Sequence, residues 1–147
     1  MGSQFENFVS AIAAVGKEVR RIKAQEMRRF GLKGTDVMCL HYLEGAVGQG
    51  GLTASELSRQ VGIDRAAVSR CVARLERQGL VGPEGEGAQR WGRRLSLTDK
   101  GLAVTREANQ VILEVVGRAC EGVSAQDRAA MYRALWAIHA NLEGITS

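Results

Sequence analysis

Two capped helices joined by a short turn constrain the fold of this chain more than any other feature of its sequence. Thr53 and Glu56 belong to the pattern T-A-S-E, which predicts a capping box at the start of one helix. Asp64, which closely follows Gly62, can accept hydrogen bonds from the free amides of a second helix. Gly79 supplies a left-handed residue past the end of that helix. The pattern therefore predicts a helix-turn-helix.

The second of these helices, within residues 63–80, has two faces of different chemistry. The apolar face has three- and four-residue spacings and comprises Ala67, Val68, Cys71, Val72 and Leu75. The other face is mainly basic and comprises Arg65, Ala66, Ser69, Arg70, Arg74 and Arg77. We expect the first face to pack against the domain and the second to meet an anionic partner.

Caps and helical spacing predict four further helices, over residues 3–29, 35–44, 98–120 and 124–143. Gly31 and Gly34 are expected to break the first helix. The apolar stripe of the first helix must be buried in its own domain or against another subunit, and it comprises Phe5, Phe8, Val9, Ile12, Val15, Val19 and Ile22. With a single proline and 45% hydrophobic residues, the chain is expected to be mainly α.

A β-hairpin is predicted between the helix-turn-helix and the fifth helix. The loop G-P-E-G-E-G-A-Q is followed by R-W-G-R-R-L-S-L-T, in which side chains alternate along a strand. Arg90, Arg93 and Arg94 give this strand more guanidinium groups than a structural hairpin needs, which favours a DNA contact. A solvated charged hairpin is the alternative, because Glu84 and Glu86 partly cancel the arginines.

Charge and motif content narrow the class of protein. Of the net charge of +4, residues 53–100 contribute +3, with nine Lys and Arg against six Asp and Glu. No run is apolar enough to span a membrane and no signal peptide is visible, so we expect a cytoplasmic protein. No catalytic motif is present and the two histidines, His41 and His139, are far apart, so neither an enzyme nor a cofactor is expected.

Three cysteines and two polar aromatic residues are the remaining side chains that could bind a metal ion or a ligand. Cys39, Cys71 and Cys120 form no C-x-x-C or Cys/His pair, so we expect buried thiols and no metal site. His41 and Tyr42 lie on the second helix, where they either face a ligand cavity or simply belong to the packed structure.

The order of these motifs resembles the MarR family of winged helix-turn-helix transcription regulators. The most specific segments are G-L-K-G-T-D-V-M-C-L, L-T-A-S-E-L-S-R-Q-V-G-I-D-R-A-A-V-S-R-C-V-A-R-L-E-R-Q-G-L-V and L-S-L-T-D-K-G. The resemblance implies a six-helix, mainly α fold with a small β-hairpin wing, forming a homodimer. One domain over 1–147 would contain a DNA-binding lobe (32–100, with the helix-turn-helix at 53–79 and the wing at 80–98) and a dimerisation lobe (3–30 with 100–145).

The resemblance also implies a function, which is repression of transcription at a palindromic double-stranded DNA operator, with release by a small ligand. The reading positions carried over are Arg65, Ala66, Ala67, Ser69 and Arg70. Thr53 and Ser55 are implied phosphate anchors, and Arg90 is the first choice for the minor groove, ahead of Arg93 and Arg94. The wing departs from the family, because Q-R-W-G-R-R replaces the usual Asp-x-Arg pattern.

Two alternatives stay open from the sequence. A winged helix can serve as a protein-interaction module without binding DNA, because fold does not fix function. A regulator that senses thiol oxidation is the other alternative, although no cysteine lies in the first helix, where the resemblance places a peroxide-sensing thiol.

Overall fold

A computed structural model describes residues 3–85 and 93–146, apart from the side chain of Phe5. Within them lie six α-helices and three short strands. The helices are α1 (Gln4–Met27), α2 (Gly34–Gly45), α3 (Ala54–Val61), α4 (Arg65–Arg77), α5 (Asp99–Ala119) and α6 (Ala125–Glu143). The strands are β1 (Leu52–Thr53), β2 (Val81–Pro83) and β3 (Arg94–Leu97), and a 3₁₀ turn covers Arg28–Phe30. None of the described helices has the length and hydropathy needed to cross a membrane.

The chain divides into two compact units, Met1–Val111 and Ile112–Ser147. In the first unit α2, α3 and α4 pack against one another. Leu40, Leu43, Leu57, Val68 and Leu75 are almost completely buried there. The apolar face predicted for the second capped helix is therefore confirmed as its packed face.

The predicted caps position the helices. Thr53 Oγ1 accepts from the Glu56 amide at 3.1 Å, and the Glu56 carboxylate accepts from the Thr53 amide at 3.2 Å. Asp64 Oδ1 accepts from the Ala67 amide at 2.8 Å at the start of α4. The predicted break between α1 and α2 is present, with Gly31 in the left-handed region at φ +69°, but Gly34 is the first residue of α2 and does not belong to the break.

The predicted hairpin is part of a three-stranded antiparallel sheet with the order β1-β3-β2. β3 pairs Leu97 with Val81 on one side and Leu95 with Leu52 on the other. β1 was not predicted from the sequence, since two residues are too few to show an alternating pattern.

The apolar stripe of α1 is exposed in the single chain, so of the two predicted ways of burying it the single chain does not supply the first. The exposed side chains are Phe8, Val9, Ile12, Val15 and Val19. In the second unit, α6 likewise exposes Met131, Tyr132, Leu135, Trp136 and Leu142. Large exposed apolar surfaces commonly mark sites of contact with another molecule.

Candidate nucleic-acid interface

The turn between α3 and α4 sets the orientation of α4 relative to α3. Gly62 ends α3 with φ +79°, and its amide donates to the Ser58 carbonyl at 2.9 Å. The Ser58 hydroxyl donates to the Ile63 carbonyl at 2.6 Å. The conformation of Gly62 is one that side chains disfavour, so this position suits glycine.

The side of α4 away from the core presents a short row of polar and small residues. Arg65, Ala66, Ser69 and Arg70 are exposed, whereas Ala67 is half-buried. Neither Arg65 nor Arg70 forms a salt bridge with any residue in 3–85 or 93–146. Their guanidinium groups are therefore available to an external anion or base edge.

Arg74 lies on the same helix but points inward. Its NH2 donates to Asp36 Oδ1 at 2.9 Å, with 28% of the Arg74 side chain and 2% of the Asp36 side chain exposed. This hydrogen bond raises the pKa of Arg74. Asp36 Oδ2 also accepts from the Lys33 amide at 2.9 Å, so one carboxylate joins the start of α2 to α4.

Two thiols lie beside this ion pair. Cys71 Sγ is 3.1 Å from Asp36 Oδ1 and 3.3 Å from Cys39 Sγ. The hydrogen bond from Cys71 lowers the pKa of the Cys39 thiol. The same bond, together with burial and the Asp36 carboxylate, raises the pKa of the Cys71 thiol.

The end of α4 is held by residues of the motif L-T-D-K-G. The Thr98 hydroxyl donates to the Gly79 carbonyl at 2.6 Å, and Lys100 Nζ donates to the Gln78 carbonyl at 2.9 Å. Gln78 Nε2 donates in turn to the Gly31 carbonyl at 3.0 Å. Both ends of α4 are thus fixed, which is what a helix that reads DNA requires.

The predicted phosphate anchors lie at the start of α3. Thr53 and Ser55 are half-buried. The Thr53 oxygen already accepts from the Glu56 amide. Its hydroxyl proton can still be donated to a phosphate oxygen, because a hydroxyl group both donates and accepts.

The wing arginines have partners within the protein. Arg93 NH2 forms a salt bridge with Glu76 Oε2 at 2.7 Å. Arg94 donates to the carbonyls of Gly50 at 2.7 Å and Gly51 at 2.9 Å. Arg90, the first choice for the minor groove, lies outside the described residues.

His41 and Tyr42 line an open cavity of about 350 Å³ in the first unit. Glu44, Gln49, Leu52 and Gln60 contribute to its walls. His41 is exposed and Tyr42 is half-buried. The two rings contact each other edge to face, with centroids 5.2 Å apart.

Across residues 3–85 and 93–146, no cluster of His, Cys, Asp and Glu has an arrangement suited to a metal ion.

The contacts that hold the inner face of α4 were not predicted from the sequence. Arg74 was expected on the outer face and Asp36 had no predicted role, although both lie in segments that carry the family resemblance. One signal was available, since an acidic residue in the first turn of α2 suits a helix start. Pairing across 38 residues has no local signature.

The MarR family model matches residues 30–90, which include α2, the helix-turn-helix and part of the wing. This segment is similar to proteins of the MarR family. In the MarR-family fold α3 and α4 form the helix-turn-helix, and β2 and β3 form the wing.

Solved MarR-family structures extend the likeness over nearly the whole chain. A Staphylococcus aureus MepR–DNA complex gives a TM-score of 0.79 at 19% identity, covering 95% of this chain and 99% of MepR. A MarR/EmrR family regulator from Acinetobacter sp. ADP1 gives 0.79 at 17% identity, covering 98% and 100%. A Mycobacterium tuberculosis MarR family protein in complex with salicylic acid gives 0.68 at 20% identity, covering 93% and 97%. The six-helix winged-helix fold predicted for the chain is confirmed.

Proposed function

We propose that this protein is a transcription regulator that binds double-stranded DNA through the outer face of α4. The observation that carries the proposal is the exposed row Arg65, Ala66, Ser69 and Arg70 on a helix whose two ends and inner face are all fixed. An α-helix fits the major groove, where each base pair presents a distinct pattern of donors and acceptors. The match to the MarR family supports the same function.

Each reading position has a defined role in this proposal. Arg65, in the first turn of α4, donates two hydrogen bonds to a guanine edge, while Ala66 or Ala67 contacts a thymine methyl group. Ser69 and Arg70 hold phosphates, which fixes the register of the helix on the duplex. Thr53 and Ser55 are further phosphate anchors at the start of α3.

In the wing, Arg90 is the proposed minor-groove residue. Arg93 and Arg94 act as secondary phosphate contacts through the guanidinium N–H groups that their internal partners leave free. Their bonds to Glu76 and to the Gly50 and Gly51 carbonyls would hold the return strand in place while it contacts the backbone.

The proposed active form is a homodimer joined through the N- and C-terminal helices. The exposed apolar stripe of α1 supports this assembly, because burying it would remove a large apolar surface from water. A two-fold dimer presents two copies of α4, so the operator is expected to be a palindrome with half-sites about one helical turn apart. Occupation of such a site by the dimer would repress the adjacent gene.

The cavity beside His41 and Tyr42 is the proposed effector site. Its volume of about 350 Å³ lies at the lower end of the range for small-molecule pockets. The imidazole, the phenol and the amides of Gln49 and Gln60 offer hydrogen bonds to a small polar aromatic compound. The salicylic acid complex of the Mycobacterium tuberculosis relative supports this class of ligand.

A salt titration of DNA binding tests the proposed function. Fluorescence anisotropy would follow the full-length protein binding a labelled pool of random duplexes at low and then rising salt. We expect binding that weakens steeply with salt, because contacts to phosphates release counterions. Absence of binding to any duplex at low salt would contradict DNA binding and favour a protein-interaction module.

Arg65→Ala is expected to weaken binding to a selected operator by about 1–3 kcal/mol, with the loss confined to one base pair per half-site. Affinities for single-base operator variants would be compared between the wild type and R65A. Arg106→Ala, at an exposed position of α5, is the matched control and should bind as the wild type does. An equal loss on every sequence would instead make Arg65 a phosphate contact.

Val15→Asp is expected to raise the dimer Kd roughly 10- to 30-fold, which is about 1.4–2 kcal/mol. Val15 is 64% exposed in the single chain, and an aspartate there would place a carboxylate in the proposed apolar interface of each subunit. Sedimentation equilibrium would measure the change. Ser10→Asp adds the same charge on the other side of α1 and should leave the dimer intact. Equal behaviour of the two variants would place the interface elsewhere.

A further inference from the structure

Two buried thiols face each other across the contact between α2 and α4. Cys39 and Cys71 have no exposed surface, and their sulfur atoms are 3.3 Å apart. A disulfide has an S–S length of about 2.05 Å, so the sulfurs need to approach by roughly 1.3 Å. Both cysteines are free in this structure.

The surroundings make the two thiols chemically unequal. Cys71 donates a hydrogen bond, and the sulfur of Cys39 and the carboxylate of Asp36 are both within reach as acceptors. This arrangement lowers the pKa of the Cys39 thiol and raises that of Cys71. Cys39 is therefore the better nucleophile, and Cys71 keeps its proton next to a base.

A short polar path separates the thiols from solvent. The Arg74 side chain is partly exposed and donates to Asp36 Oδ1, which is 3.1 Å from Cys71 Sγ. Because both thiols are buried, a reagent can reach them only when the Arg74 side chain moves aside. We therefore expect a small oxidant to react with them and a bulky disulfide reagent not to.

We propose that Cys39 and Cys71 are an oxidisable dithiol, which a hydroperoxide converts into an intramolecular disulfide joining α2 to the reading helix α4. The pair differs from Cys120, which directly follows α5, is half-exposed and belongs to the other compact unit. Formation of the disulfide does not depend on the proposed function, whereas its effect on DNA binding does.

The reaction with hydrogen peroxide has two balanced steps. The Cys39 thiolate attacks one peroxide oxygen, so that an S–O bond forms, the O–O bond breaks and the released hydroxide takes the proton that Cys39 lost. Cys71 then attacks the sulfenic sulfur of Cys39, forming the S–S bond and breaking the S–O bond. Asp36 accepts the Cys71 proton and passes it to the leaving hydroxide. Two thiols give up two electrons, and one peroxide becomes two waters.

The disulfide changes the contacts that hold α4. Cys71 loses its S–H group and with it the hydrogen bond to Asp36. Side-chain rotation supplies part of the approach between the sulfurs, and the remainder must come from a shift of α4 against α2, since both thiols project from helices. We expect such a shift to alter how α4 enters a groove.

Peptide mapping of full-length protein tests the linkage. Trypsin would place Cys39, Cys71 and Cys120 in separate peptides, 34–59, 71–74 and 119–128. Reduced native protein would be treated with hydrogen peroxide, unfolded, alkylated with iodoacetamide and digested. We expect the 34–59 and 71–74 peptides to be linked, with the mass of two hydrogens lost and with reversal by dithiothreitol. Ellman's reagent should leave both thiols of native protein unmodified.

Matched variants assign the linkage. Cys120→Ser should form it as the wild type does, whereas Cys39→Ser and Cys71→Ser should not. Separate alkylation of both thiols after peroxide treatment of the native wild type would overturn the proposal, and so would linkage to Cys120. The wild-type result does not depend on whether the serine variants fold.

DNA binding of the oxidised protein tests the consequence. We expect its operator affinity to fall roughly tenfold and to recover with dithiothreitol, which is within the usual range for coupled sites. Unchanged affinity in fully linked protein would overturn the regulatory part of the proposal. A reduced protein that binds no DNA would instead contradict the proposed function and leave the peptide result standing.

Discussion

Arg74→Ala is expected to destabilise the protein by about 2–4 kcal/mol, somewhat less than the loss of one partner from a fully buried pair. The change leaves the Asp36 carboxylate, which is 2% exposed, without its guanidinium partner and with the Lys33 amide and the Cys71 thiol as its remaining donors. Desolvation of that charge is the main cost, because the hydrogen bonds that remain replace only part of its hydration. Urea denaturation followed by circular dichroism would measure the free energy of unfolding.

Asp36→Asn is the matched comparison for Arg74→Ala. It removes the charge from the buried side and leaves Arg74, which is 28% exposed, able to reach water. We therefore expect Asp36→Asn to cost less than Arg74→Ala, and the double variant to be more stable than Arg74→Ala alone. Additive losses in the double variant would mean that the pair contributes nothing through its charges.

Gly101→Ala is expected to cost about 3 kcal/mol, at the upper end of the range for overpacking. A Cβ at this buried position of α5 would lie 1.9 Å from the carbonyl oxygen of Leu80. That oxygen also accepts from the Thr98 amide at 3.0 Å, so the backbone has little freedom to move away. Thermal and urea denaturation would both report the loss.

Gly117→Ala is the control on the same helix. Nothing lies within 4 Å of a Cβ at this position, so alanine should raise helix stability by up to about 1 kcal/mol. Opposite signs for the two glycine substitutions would identify the close approach of α5 to Leu80 as the cause. If Gly101→Ala left the free energy of unfolding unchanged, the backbone at Leu80 would have moved to accommodate the added Cβ.

Local signals account for what the sequence predicted well. Capping at Ser3, Thr53 and Asp64 depends on residues three positions apart, and each cap is present in the structure. The packed face of α4 follows from periodicity, since one side of a helix must be apolar to be buried. These rules need no knowledge of the tertiary fold.

Contacts between distant segments account for what the sequence did not predict. The Asp36–Arg74 pair, the Cys39–Cys71 contact and the pairing of β1 with β3 all join residues more than 30 positions apart. Arg93 and Arg94 illustrate the effect on function. The number of arginines in this strand favoured a DNA contact. In the folded hairpin, however, Arg93 and Arg94 each donate a hydrogen bond to another part of the protein.

Selection of bound sites from a pool of random duplexes is the most direct test of the central claim, that α4 reads DNA as part of a two-fold dimer. Full-length reduced protein would be incubated with the pool at low salt, and the bound duplexes would be sequenced after repeated rounds. We predict enrichment of a palindrome with half-sites about one helical turn apart, and loss of preference at one base pair per half-site in Arg65→Ala. Recovery of no enriched sequence would contradict the claim.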